Sequence, residues 1–412
     1  MNVYCKALLG GTVALLTLFA IPSAHSQSGQ IANRVKDINT TLTAAPSRPG
    51  GFARVGGLTY FHADDGGNGD ELWVTDGTIA GTRILKDIYV GTGNSRPVSL
   101  TDVNGTLYFS ADDLFHGGEL WKSDGTTAGT VMVKDIEPFR GPRGGLGEVG
   151  ELANVNGVVF FAARRMLDGI ELWKSDGTDA GTVLVQDIAP GFASSSPARL
   201  TNVNGTVFFV ASDDAGYELW KSDGTTAGTT RVKDIRPGPG SGLSPFLTSN
   251  LLNVNGTLFF TADDGAGGIE LWKSDGTESG TVRVKDINPG VSGSFPSSLV
   301  NVGGTLFFAA LTSSEGGELW KSDGTEAGTV RVKDIRFGSG SSSPNRLTVM
   351  GGVLFFAADD GIRGSELWKS DGTEAGTTLV REIAPGPASG EIADLTAASA
   401  LFFTANDGVT GK

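Results

Sequence analysis

The chain has 412 residues, 62 of them glycine, with 39% hydrophobic residues and a formal net charge of −14 at pH 7. So acidic a surface repels nucleic acid and anionic membrane, which excludes both as principal partners. Glycine this abundant without a three-residue period points to many turns rather than a fibre.

Residues 1–26 read as a secretory leader. Lys6 supplies the positive start, 7–21 are apolar, and Ala24-His25-Ser26 is a small-x-small cleavage pattern that places the mature start at Gln27. The apolar run is shorter than the roughly 20 residues a membrane span needs. Cys5 is the only cysteine, so the mature chain has neither disulfides nor thiol chemistry. Export without disulfides suggests a bacterial protein that is secreted, periplasmic or at the cell surface. Losing the leader with Lys6 leaves the chain one charge more negative.

Asn33-Arg34-Val35-Lys36-Asp37-Ile38 follows, matching the end of later repeats such as 231–235 but arriving alone. The repeat proper is marked by Glu-Leu-Trp. Its tryptophans are Trp73, Trp121, Trp173, Trp220, Trp272, Trp320 and Trp368, which are all seven in the chain, at spacings of 48, 52, 47, 52, 48 and 48 residues. Self-similarity at such a period decides the architecture.

The fifth unit shows the pattern. Residues 251–254 form a short apolar strand, and Asn255-Gly256 is a hairpin signal because both turn positions need positive φ. Residues 257–262 are a second strand rich in β-formers. A polar loop leads to the Trp-bearing strand 269–273, Asp275-Gly276-Thr277 turns the chain, and 281–287 is a fourth strand. Leu and Trp are consecutive in the third strand, so they face opposite sides of the sheet and both sides must be buried. Charges alternating along the fourth strand discourage pairing at an outer edge. These conditions predict an all-β fold, a β-propeller of four-stranded antiparallel blades, in one domain spanning 27–412.

After the seventh complete repeat an eighth begins at 391, and the sequence stops at Lys412, one residue before its Glu would fall. Two expectations follow. Either the eighth blade is composite, with 33–38 as the outer strand closing on 391–412, or the chain continues beyond this sequence.

The phase of the unit resembles kelch-type propeller repeats. More closely, the seven Glu-Leu-Trp segments with their Asp-Gly-Thr turns resemble the bacterial ELWxxDGT-repeat (hyalin-like) proteins, over 33–412. The resemblance implies an exported propeller and no catalytic residue.

Because the tryptophans recur in every unit, they read as packing between blades, with an indole N–H that needs a partner. Acidic pairs stand between second and third strands: Asp64-Asp65, Asp112-Asp113, Asp213-Asp214, Asp263-Asp264 and Asp359-Asp360. They are solvated turn residues or a ring of carboxylates for calcium or a cationic partner. The third unit has Arg164-Arg165 instead, preceded by Arg140 and Arg143. Arginine forks suit carboxylates and sulfates, so these four residues are the candidate site for an anionic glycan or a protein ligand. Only His62 and His116 remain in the mature chain, and no nucleophile elbow, metal-ligand cluster or phosphate loop is present. The expected function is an exported, monomeric binding or scaffold protein working through its variable loops. The alternatives are a carbohydrate-active enzyme with carboxylates on that face and a calcium-stabilised adhesive protein.

Overall fold

The computed structural model describes residues 35–40, 46–138, 149–244, 251–398 and 400–409, together with the backbone of Val3–Leu9 and Thr12–Leu18. The chain is all-β and of the β-propeller class. It has eight four-stranded sheets, seven of them complete blades and an eighth to which the C-terminal repeat contributes two strands. Blades 1 to 7 span 50–86, 98–134, 152–186, 198–233, 252–283, 297–333 and 345–381. Blade 8 holds Ala393–Ala397 and Leu401–Thr404. Two compact units divide the chain: 34–245 carries blades 1 to 4, and 1–33 with 246–412 carries blades 5 to 8.

Blade 3 shows why these residues form this sheet. Asn156 and Gly157 adopt φ of 53° and 87°, as a two-residue hairpin turn requires. Val158–Arg165 then pairs with Gly169–Ser175 without interruption. Phe161, Ala163 and Trp173 face blade 2 and pack on Leu120, Val133 and Ile136. Phe160 and Leu172 face blade 4 and pack on Val207, Phe209 and Trp220. The alternation expected of consecutive Leu and Trp is therefore realised, and each unit is a stack of sheets buried on both faces. Every large side chain so buried contributes about 1.5–3 kcal/mol.

Polar straps fix the spacing of the stack. Lys174 Nζ donates to Gly224 O at 2.7 Å, Lys273 Nζ to Gly324 O at 2.8 Å, and Lys321 Nζ to Gly372 O at 2.9 Å, each reaching the Asp-Gly-Thr turn of the next blade. Blade 1 has Val74 at this place, and there Arg83 Nη2 donates to Gly125 O at 3.1 Å instead. The turn itself is self-contained. Asp176 Oδ1 accepts from Thr178 N and Oγ1, Gly181 N donates to Thr178 Oγ1, and Thr182 Oγ1 lies 2.7 Å from Ser175 Oγ. A β-carbon at Gly181 would lie 2.1 Å from Asp176 Oδ1, which explains the second glycine of every Asp-Gly-Thr-x-x-Gly-Thr.

Residues 35–40 form no strand. Lys36 Nζ donates to Thr82 O at 2.6 Å and Ile38 packs beside Phe61, Ala63 and Trp73 of blade 1. Lys86 and Ile88 act on blade 2 in the same way, through Thr130 O and the Trp121 cluster. The segment thus reproduces the outward contacts of a fourth strand. In the sheet of blade 8, Val3–Leu9 runs parallel to Leu401–Thr404 and pairs antiparallel with Thr12–Leu18. That hairpin takes the place beside the second strand where other blades have an antiparallel Glu-Leu-Trp strand.

Candidate binding surface at the variable-loop end

Strand direction brings two kinds of loop to one end of each blade: the loop between second and third strands, and the link from the fourth strand to the next blade. The two are joined by hydrogen bonds. In the first link, Arg96 N donates to Asp70 O, and Ser95 O accepts from Asp112 N of blade 2.

The glutamate of each Glu-Leu-Trp organises this end. Glu71, Glu171, Glu218, Glu270, Glu318 and Glu366 are fully buried. Glu171 Oε2 accepts from Ile188 N at 3.0 Å and Ser195 Oγ at 2.5 Å, and its Oε1 accepts from Ser195 N at 2.8 Å. Glu71 does the same with Ile88 and Ser95, and Glu318 with Ile335 and Ser342. Where the serine is replaced by Gly242, its N–H still donates to Glu218 at 2.8 Å. Burial pushes the carboxyls of Glu71 and Glu218 up to about 7 and that of Glu119 up to about 8, against the pull of these donors.

The serine gripped by the glutamate opens a Ser-x-Pro element at 95–97, 195–197, 294–296 and 342–344, and the same element stands at 47–49 before blade 1. Its middle residue is left-handed in each. Arg48, Arg96, Ser196, Phe295 and Ser343, with Glu391 at the matching place before blade 8, have φ between 43° and 49°. Three residues on, the first strand carries a β-bulge, with φ of 55–59° at Ser99, Arg199, Ser298 and Arg346. Only glycine enters this region freely, and bulges of this kind re-aim side chains. One backbone shape, pinned by a buried glutamate, thus carries arginine, serine, phenylalanine or glutamate.

The arginines expected to cluster are not brought together among the described residues. Arg140 and Arg143 lie outside them. Arg164 and Arg165 are consecutive in one strand and so point to opposite faces. Arg164 is exposed. Arg165 pairs through Nη2 with Asp168 and lies 5.8 Å over the Trp173 ring.

Most of the acidic pairs cap their own loops. Asp64 accepts from Gly66 N, and Asp65 from Gly67 N and Asn68 N. Asp112 accepts from Leu114 N, and Asp113 from Phe115 N, His116 N and the His116 ring. Asp213 and Asp359 also hold Arg231 and Arg336. Asp263 accepts from Gly265 N, Asp264 from Ala266 N and Gly267 N, and Asp360 from Ile362 N and Arg363 N. Asp214 is exposed. For Asp65, burial opposes ionisation, yet the amide donors of Asn68 and Gly67 outweigh it and hold the carboxyl below its ordinary range. No group of three or more His, Cys, Asp or Glu able to hold a metal ion occurs among the described residues. His62 is hydrogen-bonded to Asp70 at 2.9 Å.

Trp121, Trp173, Trp220, Trp320 and Trp368 pack between neighbouring blades, and Trp73 packs with Ile38. Trp121 Nε1 donates to Ala111 O at 3.1 Å. The Nε1 atoms of Trp73, Trp173, Trp220, Trp272 and Trp320 are buried with no acceptor in reach.

No protein-family model matches the chain, and no curated protein matches its sequence. Among solved structures it is similar to the computationally designed protein Ika8, at 14% identity and a TM-score of 0.50 over 92% of this chain and 98% of that one. It is also similar to a puromycin-hydrolyzing peptidase of Mycobacterium tuberculosis (12% identity, TM-score 0.43) and to a prolyl endopeptidase (10%, 0.46). It covers 87% and 81% of itself but 57% and 49% of those two chains, about half their length. At such identities the likeness is one of fold alone.

Proposed function

We propose that the chain is an exported, non-catalytic binding or surface-scaffold protein, one of the ELWxxDGT-repeat group, whose ligand contacts the Ser-x-Pro end of the blades. One observation carries this reading. The repeated residues are spent on architecture: glutamate on the links, lysine on the straps, Asp-Gly-Thr on the turns, and leucine and tryptophan on the faces. The middle residue of Ser-x-Pro keeps its backbone and changes its chemistry from blade to blade. A fixed frame displaying variable groups suits recognition. The test is an array of neutral and acidic glycans and of candidate protein ligands, run with a turnover assay. Saturable binding without product is expected. Product formation lost on changing one loop carboxylate would overturn the non-catalytic reading.

A further inference from the structure

The Ser-x-Pro position of blade 6 differs from the others in carrying an aromatic ring. Phe295 has φ of 48°, a conformation that a bulky residue rarely adopts, and 46% of its surface is exposed. Strain kept for a half-exposed ring is not explained by core packing. The backbone there is held firmly. Phe295 N donates to Ile269 O at 3.1 Å, and its neighbour Ser294 is gripped by Glu270, with Oγ to Oε2 at 2.5 Å.

Phe295 borders a cleft of about 400 Å³ between blades 6 and 7, which belong to the same compact unit. That volume lies within the range of small-molecule sites. Ser297, Ser298, Ser343 and Asn345 also line it, and no charged side chain does. Among the described residues, the hydroxyls of Ser297, Ser298 and Ser343 have no hydrogen-bond partner. Asn345 donates to Ser343 O at 2.9 Å and keeps its carbonyl oxygen for another partner.

We propose that this cleft binds a neutral carbohydrate, with the exposed Phe295 ring taking the C–H face of a sugar and the serine and asparagine groups taking its hydroxyls. The chemistry selects that class. A charged ligand would lose hydration with no counter-charge in the cleft, and a wholly apolar one would strand the hydroxyls. A sugar offers both an apolar face and many hydroxyls that donate and accept. The inference rests on the binding reading above and names its site and ligand class.

The test is titration calorimetry on the full chain with maltotetraose, cellotetraose and tri-N-acetylchitotriose, and with a heparin tetrasaccharide as the anionic probe. The variants are Phe295→Ser and Asn345→Ala. Serine already occupies the Phe295 position at Ser196 and Ser343, so the first variant should fold normally. At least one neutral probe should bind saturably, weakened about tenfold or more by either variant, with the melting temperature unchanged or raised. Equal binding by the variants, or binding of the heparin probe alone, would overturn this site while leaving the binding reading intact. Failure of every probe, on the array as well, would overturn both.

Discussion

Removing one buried glutamate tests how the variable end is built. In Glu171→Ala the amides of Ile188 and Ser195 and the Ser195 hydroxyl lose their common acceptor. The hydroxyl can turn elsewhere, but the two amides cannot. Each stranded amide costs about 1–3 kcal/mol, so the expected loss is about 2–6 kcal/mol. Glu171→Gln keeps the volume and one acceptor, and should lose roughly half as much. Because the damage is local, the assay is hydrogen exchange across 187–197 alongside denaturant unfolding. Protection should fall first in that link and at Ser212, whose N–H donates to Ser195 O. A loss below about 1 kcal/mol, or exchange unchanged in the link, would refute the role assigned to the glutamate.

Other outcomes follow from the same structure. Glu71, Glu119 and Glu218 titrate near 7 to 8 when folded and near 4.5 when unfolded, so the folded state holds protons that the unfolded state releases. Their contribution is full below about 4.5 and is lost as pH rises through 7 to 8. Melting temperature should therefore fall from about pH 5 to about 8, less steeply in Glu119→Gln; a flat or rising profile would contradict this. Gly181→Ala must displace the Asp176 carboxylate, so it and Asp176→Ala should each lower the melting temperature, with little further loss in the double variant. Additive effects would separate the two. Phe295→Gly should raise the denaturant midpoint, a gain of about 1 kcal/mol from relieved left-handed strain; a drop would mean that packing of the ring outweighs its strain. Since most of the paired aspartates give oxygens to loop amides, millimolar calcium should leave the melting temperature unchanged, and a rise reversed by chelator would make them ligands.

The blades were legible in the sequence because two periods coincide there. The 47–52-residue spacing of Glu-Leu-Trp counts the seven complete blades, and the consecutive Leu and Trp require two buried faces, as Leu172 and Trp173 show. Asn-Gly and Gly-Gly mark the hairpins because the turn geometry admits little else. The glutamate was hidden in plain view. A charged residue inside a strand buried on both faces must be paired, and its partners lie 17 and 24 residues away in links that read only as glycine- and serine-rich. The Ser-x-Pro recurrence was the available signal, but left-handed backbone at a non-glycine residue leaves no mark in sequence. The arginine expectation left out that neighbours in a strand diverge, as Arg164 and Arg165 do at the end of Val158–Arg165. The acidic pairs left two readings open in the sequence because turn capping and calcium binding use the same oxygens.

The most direct test sets the variable positions against the repeated ones. In one variant Arg48, Arg96, Phe295 and Glu391 become serine, the residue already present at Ser196 and Ser343. In another, Ile79, Glu326 and Glu374, exposed on the Asp-Gly-Thr turns at the opposite end of their blades, become serine. Both should fold, and the ligand captured by the unmodified chain on a glycan and protein array should be lost only from the first. Capture that survives the first variant, or fails in the second, would contradict recognition by the Ser-x-Pro end.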